Sequence, residues 1–366
     1  MSDPATASTS APLRFAFIGA GGIANQYLGA LDTYDDVEVV GFADPIEKPM
    51  HEKAEKHGLS TDACFTDYGQ MLKQLKPDAV AVCSPNGAHA PNTIAALEAG
   101  ADVIVEKPMA MNASEARSMI DAAERNGRKL VIGFQFRYDP RTAFIIAQRE
   151  AGVLGDLRFG RVWALRRRGI PNWGVFGRKD LQGGGPMIDI GVHALEMCHF
   201  AMGAPKPVAA TGMADTYMGN SEQTATGVVC PWPDWDWKTY TVEDLAVGSI
   251  RFDNGAVIHI ESCFAAHHEH AETTMDFQLM GTKGGAKWAE PEVFTDQNGY
   301  MVNTKPAWLP KNDWSDYFNA KLRNFIDHVT KDTPTQAPAQ HGLMVQQMLD
   351  AIYRSAENGG AEVAID

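Results

Sequence analysis

A short glycine-rich stretch near the start of the chain constrains the fold more than any other feature. It reads FAFIGAGGIA over residues 15–24, an apolar strand that runs directly into a turn and a helix. In the pattern Gly-x-Gly-x-x-Ala, Gly19 allows the tight turn, Gly21 leaves room for a pyrophosphate, and Ala24 lets the helix pack closely on the strand. The N–H groups that open this helix then face the phosphates. We therefore expect a dinucleotide to bind at Gly19, Gly21, Gly22, Ile23 and Ala24.

The second apolar run, over residues 37–43, ends in Asp44. A carboxylate at the tip of a second strand, about 20 residues beyond the glycines, can accept hydrogen bonds from the ribose hydroxyls of an adenosine. The same carboxylate would repel a 2′-phosphate, and Pro45 follows it instead of an arginine. The sequence therefore predicts NAD as the cofactor in preference to NADP.

Length, charge and cysteine content limit the organisation and the partners. A chain of 366 residues is too long for one hydrophobic core of the usual size, so we expect two domains. The net charge of −14 argues against nucleic acid or an anionic membrane as a partner. The five cysteines include no Cys-x-x-Cys pair, which indicates neither a disulfide framework nor a thiolate zinc site. A reducing compartment fits this cysteine usage.

The first residues contain no apolar core. Residues 1–12 are rich in Ser, Thr, Ala and Pro, and they match neither a secretion signal nor a twin-arginine signal. We interpret them as a disordered leader. No later run is long and apolar enough to cross a membrane, so the sequence predicts a cytoplasmic protein.

Residues 13–137 alternate strand-like and helix-like segments, which is typical of a parallel sheet with helices on both faces. Such sheets bind ligands at the carboxyl ends of their strands. The residues that stand out chemically all lie at those ends: Gly19–Gly22, Asp44, Ser84–Asn86, Glu106–Pro108 and Gln135–Tyr138.

Glu106 and Lys107 directly follow a buried strand, where a charged pair is costly unless it has a use. Pro108 biases Lys107 towards an extended conformation, from which its side chain can project over the rim of the sheet towards a nicotinamide. In a partly dry site this ammonium would donate a hydrogen bond to a hydroxyl or carbonyl oxygen. The alternative is an ordinary ion pair in a surface loop.

Strand-like runs dominate beyond residue 138, and Asp253-Asn254-Gly255 between two of them is a strong hairpin signal. These runs are 158–166, 208–213, 244–252, 256–264 and 274–280. Strands joined by hairpins indicate an antiparallel sheet with one face open for a site or an interface. Helices are predicted over 187–202, 314–330 and 342–358.

The third informative stretch runs from Gly183 to His193. A triple glycine, Gly183–Gly185, allows the backbone to come close to another group, and a helix begins after it. Asp189 and His193 are four residues apart and so share one face of that helix. A carboxylate and an imidazole on one face can act as a general acid/base pair, because histidine titrates near neutral pH. The alternative is a glycine-rich turn with a structural histidine.

Together these stretches resemble the Gfo/Idh/MocA oxidoreductases. The matching residues are Gly19–Ala24, Ser84–Asn86 with His89, Glu106–Pro108, and Gly183–Gly185 through Asp189 to His193. The resemblance implies an α/β Rossmann domain, here 13–137, followed by an α+β domain with an open-faced, mainly antiparallel sheet, here 138–366. It also implies homodimers or homotetramers formed through that sheet. We expect the helices within 314–358 to pack back on the first domain.

The resemblance also implies roles for individual residues. His193 would be the general base, Lys107 would bind the same substrate oxygen, and Asp189 would position the substrate and tune both. The residues that would hold the cofactor, beside the glycine turn and Asp44, are Ser84, Asn86, His89, Glu106, Lys107, Gln135, Trp173 and Arg178. The residues that would bind substrate are Lys107, Arg137, Tyr138, Asp189 and His193. The chain departs from the family pattern at Glu196, where family members often carry an aspartate three residues after the histidine.

The predicted activity is NAD-dependent oxidation of a secondary hydroxyl of a sugar, a cyclic polyol or a sugar derivative. A glycoside hydrolase or lyase that oxidises its sugar transiently with tightly bound NAD is the alternative. A third hypothesis is a non-catalytic regulator that binds a dinucleotide. The presence of Lys107, Asp189 and His193 argues against it. The net charge favours an uncharged substrate, although Arg166–Arg168 could bind an acidic group. The sequence leaves open the roles of Trp232–Trp237 and of His267–His270, and we predict no metal site.

Overall fold

The structure is a computed structural model that describes residues 11–171, 174–222, 237–269 and 274–366. Its first sheet has six strands, all parallel, in the order β3-β2-β1-β4-β5-β6. These strands are β1 (Leu13–Ile18), β2 (Val37–Ala43), β3 (Cys64–Phe65), β4 (Ala79–Val82), β5 (Asp102–Val105) and β6 (Leu130–Ile132). This is the strand order of a Rossmann fold, so the predicted first half of the fold is confirmed.

Helices alternate with these strands and cover both faces of the sheet, as the apolar strands β4 and β5 require. They are α1 (Ala24–Leu31), α2 (Glu47–Lys56), α3 (Tyr68–Leu75), α4 (Asn86–Glu98) and α5 (Ala113–Asn126). A further helix, α6 (Pro140–Glu150), follows the last strand of this sheet. The ends of α5 follow from local chemistry. The Asn112 side chain accepts the N–H of Glu115 at its start, and Gly127 ends it in the left-handed conformation.

Among the described residues the second sheet has nine strands, in the order β14-β13-β12-β11-β7-β10-β9-β8-β15. They are β7 (Leu157–Leu165), β8 (Pro207–Asp215), β9 (Leu245–Phe252), β10 (Val257–Cys263), β11 (Met275–Gly281), β12 (Gly284–Lys287), β13 (Glu292–Gln297), β14 (Tyr300–Thr304) and β15 (Val363–Ala364). The pairing of β7 with β10 is parallel and the other pairings are antiparallel. The expected mainly antiparallel sheet is confirmed.

Four of these strands, β12 to β15, lie beyond the predicted ones. The turn after β11 is short, because Gly284 already opens β12. These strands carry little apolar alternation. They form because the neighbouring strand offers unpaired backbone groups, which is a tertiary effect.

One face of this sheet is covered by α8 (Val192–Ala201) and α10 (Ala339–Glu357). The close approach requires glycines in the strands: a Cβ added at Gly248 would lie 2.7 Å from Ile352 Cγ1, and one at Gly160 would lie 2.7 Å from Cys198 Sγ. The single helix predicted over 187–202 is instead a π-helical segment, Met187–Gly191, continued by α8.

The helix α9 (Trp314–Lys331) lies against α1 of the first sheet. The Phe318 ring packs edge-on against Tyr27 with centroids 5.5 Å apart, and Phe325 packs against Phe15. Residues late in the chain therefore complete the core beside the glycine turn. Within the described ranges no helix is long and apolar enough to cross a membrane.

Candidate active site

The glycine turn lies at the carboxyl end of β1, next to the end of β4. Gly19 has φ +97°, and a Cβ there would lie 2.5 Å from backbone atoms of Cys83 and Ser84. A Cβ at Gly21 or Gly22 would meet no atom of the described residues within 4 Å. Gly19 is therefore required by packing within the protein, whereas Gly21 and Gly22 border open space at the start of α1.

Asp44 is bound to this turn. Its Oδ2 accepts the N–H of Ala20 at 2.7 Å, and its Oδ1 accepts the N–H of Ile46 at 2.8 Å. The carboxylate is thereby held beside the glycines at the tip of β2, where the sequence predicts the adenosine ribose.

His89 links the ends of two neighbouring strands. Its side chain is buried, with Nδ1 2.8 Å from the carbonyl oxygen of Pro108 and Nε2 2.9 Å from that of Ser84. Burial lowers the pKa of His89, and a neutral imidazole can donate to only one of the two carbonyls. This histidine therefore fixes the backbone rim where cofactor contacts are predicted. Asn86 donates from Nδ2 to the carbonyl of Gln182 at 3.0 Å.

Glu106 is buried and anchored by two residues that the sequence analysis missed. Its Oε1 accepts the hydroxyl of Tyr27 and the ammonium of Lys321, each at 2.6 Å. Burial alone would raise the pKa of Glu106, but the charge and hydrogen bond of Lys321 hold that pKa below its usual range. Lys321 lies 215 positions away on α9, and a lysine in an amphipathic helix gives no local signal of burial.

A cavity of about 430 Å³ opens between the carboxyl rim of the first sheet and the start of α8. Lys107, Asp189 and His193 all line it, together with Glu106 and Gln135. The structure thus brings the three predicted catalytic residues together, although Lys107 follows β5, Asp189 lies in the π-helical segment and His193 lies in α8. Apolar walls are formed by Ile23, Phe136, Phe176, Met275 and Trp314.

Lys107 is paired with Asp189. Its Nζ donates to Oδ1 of Asp189 at 3.2 Å and to the backbone carbonyl of Asp189 at 2.9 Å. An ammonium has three N–H groups, so one remains for a ligand in the cavity. The Lys107–Pro108 peptide bond is cis.

His193 lies across the same cavity with its ring edge-on to Phe136, centroids 5.3 Å apart. Burial, followed by the charges of Lys107, Lys321 and Arg166, holds the pKa of His193 well below its usual value. The imidazole is therefore neutral near pH 7 and can accept a proton. Within the described residues Asp189 bonds to Lys107 and not to His193. Asp189 itself lies in the π-helical segment, and His193 lies in α8.

The triple glycine is explained by packing at the start of this segment. A Cβ at Gly184 would lie 2.2 Å from Tyr353 Oη, and one at Gly185 would lie 2.1 Å from the carbonyl oxygen of Glu243. The Glu243 carboxylate accepts the N–H of Gly185 at 2.8 Å and the hydroxyl of Tyr353 at 2.8 Å. These two distant residues hold the segment that carries Asp189, and no sequence signal indicates them.

Two predicted substrate-binding residues do not line the cavity. Arg137 is buried, with Nε 2.7 Å from Glu196 Oε2 and its guanidinium stacked over Phe200. Burial raises the pKa of Glu196 to about 7. This carboxyl group accepts a hydrogen bond from Arg137 and does not line the cavity. The hydroxyl of Tyr138 donates to Asn324 Oδ1 at 2.7 Å. Both side chains are used in packing the rim.

The remaining residues singled out in the sequence either do not line the cavity or lie outside the described ranges. Arg178 is exposed, pairs with Asp180 at 2.9 Å and is not part of the cavity lining. Trp173 lies outside the described residues, as do Trp232, Trp235 and His270. Within the described ranges no group of three or more His, Cys, Asp or Glu side chains is arranged to hold a metal ion.

A Rossmann sheet with this glycine turn defines a dinucleotide-binding protein. The sequence profile described as "Oxidoreductase family, NAD-binding Rossmann fold" matches residues 13–134. The profile of the "Oxidoreductase family, C-terminal alpha/beta domain" matches residues 150–365. The chain therefore belongs to the Gfo/Idh/MocA family of oxidoreductases, and the predicted resemblance is confirmed.

Relatives of this chain include sugar dehydrogenases. D-glucoside 3-dehydrogenase of Escherichia coli (strain K12) is 37% identical over 97% of this chain and 98% of that protein. The solved structure of levoglucosan dehydrogenase in complex with NADH has a TM-score of 0.81 at 21% identity, covering 97% of this chain and 99% of that one. Glycosyl hydrolase family 109 protein 1 of Akkermansia muciniphila is 30% identical, but over only 40% of this chain and 32% of that protein.

Proposed function

We propose that the protein is an NAD-dependent dehydrogenase that oxidises a secondary hydroxyl of a pyranose sugar or glycoside. The observation that carries this proposal is the arrangement of Lys107 and His193 around one cavity at the rim where the dinucleotide is expected. The similarity to D-glucoside 3-dehydrogenase along nearly the whole of both chains supports a sugar substrate.

The residues at the rim fit NAD. Gly21 and Gly22 border space in which a pyrophosphate can approach the start of α1. Asp44 can accept ribose hydroxyls and would repel a 2′-phosphate. The Oε1 of Gln135 is buried in the cavity wall and has no hydrogen-bond partner among the residues that the structure describes, so it can accept the carboxamide N–H of a nicotinamide.

In this proposal the side chains of the cavity divide the chemistry between them. Bound NAD supplies the hydride acceptor at C4 of its nicotinamide. The neutral His193 takes the proton of the substrate hydroxyl. The free N–H of Lys107 binds the same oxygen and stabilises the negative charge that develops there. Asp189 fixes the direction of Lys107. Phe136 and Trp314 offer aromatic surface to a sugar ring.

The proposal is tested by following NADH formation while the purified protein is screened against pyranosides, aldoses and cyclic polyols, with NAD and NADP in parallel. We expect one class of pyranose to reduce NAD faster than NADP, and His193→Ala to abolish that reduction. Consumption of a glycoside without accumulation of NADH would favour transient oxidation with cleavage of the glycosidic bond. No turnover of any hydroxylated substrate would count against both activities.

The two kinds of glycine in the turn give a direct test of the cofactor site. Gly19→Ala places a Cβ 2.5 Å from backbone atoms in a left-handed conformation, and should lower the free energy of unfolding by about 3 kcal/mol or more. The Cβ of Gly21→Ala meets no atom within 4 Å in the part of the chain that the structure describes. It should melt at the wild-type temperature but bind NAD at least about tenfold more weakly. Calorimetry and NAD titration distinguish the two, and unchanged NAD affinity in Gly21→Ala would contradict this placement of the pyrophosphate.

We further infer that copies of the chain associate through the face of the second sheet opposite α8 and α10. Half-exposed or exposed apolar side chains alternate there, including Phe159, Trp163, Val247 and Met280. Such a face favours burial against a second copy.

Trp163→Lys tests this interface, because Trp163 lies on the central strand β7. Its neighbour on the paired strand β10 is Glu261, whose carboxylate can pair with the new lysine, so the fold should be kept. We expect light scattering to give a dimer or tetramer for the wild type and a smaller particle for the variant. Lys48→Glu on α2 is the control and should not change the particle mass. A monomeric wild-type protein would contradict the interface.

A further inference from the structure

Arg166 follows β7 and lines the cavity opposite the rim that carries Lys107. Its Nη1 donates to the carbonyl of Gly169 at 3.2 Å, and its guanidinium carbon lies 5.7 Å from the centre of the Phe264 ring. A Cβ at position 169 would lie 2.8 Å from Arg166 Cδ. The turn over residues 166–169 is therefore shaped to hold this side chain against the cavity.

The other charged groups of the cavity have partners. Lys107 is paired with Asp189, and Glu106 is paired with Lys321. Arg166 forms no ion pair with any residue in the described ranges, and a guanidinium stays charged at all relevant pH values. Its charge reaches the cavity, since it contributes to the lowered pKa of His193. The cavity thus presents one positive charge that no carboxylate in the described ranges balances.

We propose that Arg166 binds a carboxylate of the substrate, so that the enzyme prefers carboxylated pyranosides of the uronic acid class to their neutral counterparts. This inference rests on the proposed dehydrogenase function and specifies its substrate. A planar guanidinium binds a carboxylate through two parallel N–H···O bonds, and charge-assisted bonds are about twice as strong as neutral ones. A neutral hydroxymethyl group would leave the charge of Arg166 unbalanced.

The test compares two substrates that differ only at this group, methyl β-D-glucopyranoside and methyl β-D-glucopyranosiduronate. NADH formation is measured with the wild type and with Arg166→Gln, which keeps hydrogen-bonding capacity but removes the charge. We expect the wild type to prefer the uronate. Arg166→Gln should lower kcat/KM for the uronate by about 10- to 100-fold, mainly through KM, because a hydrogen bond to a charged group contributes about 1.5–3 kcal/mol. The glucopyranoside should change far less.

Arg167→Gln is the matched control, because it removes the same charge from the next residue, which is exposed and outside the cavity lining. It should leave both substrates unaffected. Higher kcat/KM for the glucopyranoside in the wild type, or an equal loss for both substrates in Arg166→Gln, would overturn the carboxylate while leaving the dehydrogenase function intact.

If neither substrate is oxidised, calorimetric binding of the uronate to the NAD-loaded protein decides the matter. Binding to the wild type that is lost in Arg166→Gln and kept in Arg167→Gln supports the carboxylate site independently of turnover. Absence of binding to the wild type overturns it.

Discussion

Lys107→Met is expected to lower kcat/KM by about 10²–10⁴-fold while the protein still binds NAD. The methionine keeps the length of the side chain but removes the N–H that remains free beside the Asp189 contacts. The substrate oxygen then loses the cationic donor that Lys107 supplies in this proposal. Steady-state kinetics on the substrate found in the NADH screen, together with an NAD titration, measures the two effects separately.

The same variant makes a prediction about pH. In the wild type the acid limb of the kcat/KM profile should lie below pH 6.5, because burial first and the charge of Lys107 second lower the pKa of His193. Removing Lys107 removes one of these causes, so the pKa of His193 rises and the acid limb moves to higher pH. Protonated His193 cannot act as a base, so activity falls on the acid side of that limb.

Lys206→Met is the matched control, since Lys206 is exposed in a loop and should change neither the rate nor the profile. A lost rate with an acid limb at the wild-type position would show that Lys107 does not act on His193. An unchanged rate would remove Lys107 from the mechanism altogether.

Lys321→Met is expected to destabilise the protein by about 3–5 kcal/mol, because it leaves the buried carboxylate of Glu106 without its counter-charge. The Lys321 side chain is fully buried, 2.6 Å from Glu106 Oε1 and 3.8 Å from the centre of the Phe318 ring. A methionine fills the same space without the charge. Chemical denaturation followed by circular dichroism measures the loss, with the thermal melting temperature as a second readout.

Two further variants test whether the loss comes from the unpaired charge. The double variant Lys321→Met/Glu106→Gln should recover part of the stability, because it removes the buried charge as well as its partner. Lys331→Met on the same helix breaks an exposed contact with Asp327 and should cost at most about 1 kcal/mol. Equal losses for Lys321→Met and Lys331→Met would contradict the role of the buried pair.

The glycine turn shows how far local sequence can determine structure. The residues from Phe15 to Ala24 predict a strand, a tight turn and a helix in that order. The turn has φ +97° at position 19, which a glycine adopts without strain. The position of Asp44 beside the glycine turn was predictable as well, because in this fold the second strand lies next to the first and ends at the same edge of the sheet. Alternation of strands and helices then determined the parallel sheet.

The triple glycine shows what the local sequence cannot predict, namely which distant residues pack against a segment. Its presence indicated a close approach of the backbone, but the approaching groups, Glu243 and Tyr353, lie far along the chain. Arg137 and Tyr138 were expected to bind substrate, whereas the structure pairs them with Glu196 and Asn324 in the packing of the rim. The residues next to Arg137 and Tyr138 in the sequence do not indicate a hydrogen-bond partner that lies on another element.

The sequence by itself determined the Rossmann half, the mainly antiparallel second sheet and the family, and it named Lys107, Asp189 and His193 as candidates. These features depend on short-range geometry and on residue order, both of which can be read locally. Only the tertiary structure decided that the three residues share one cavity, that Asp189 is bonded to Lys107, and that Lys321 and Arg166 approach the site. Burial and charge pairing depend on which distant segments meet, and that is determined by packing of the whole chain.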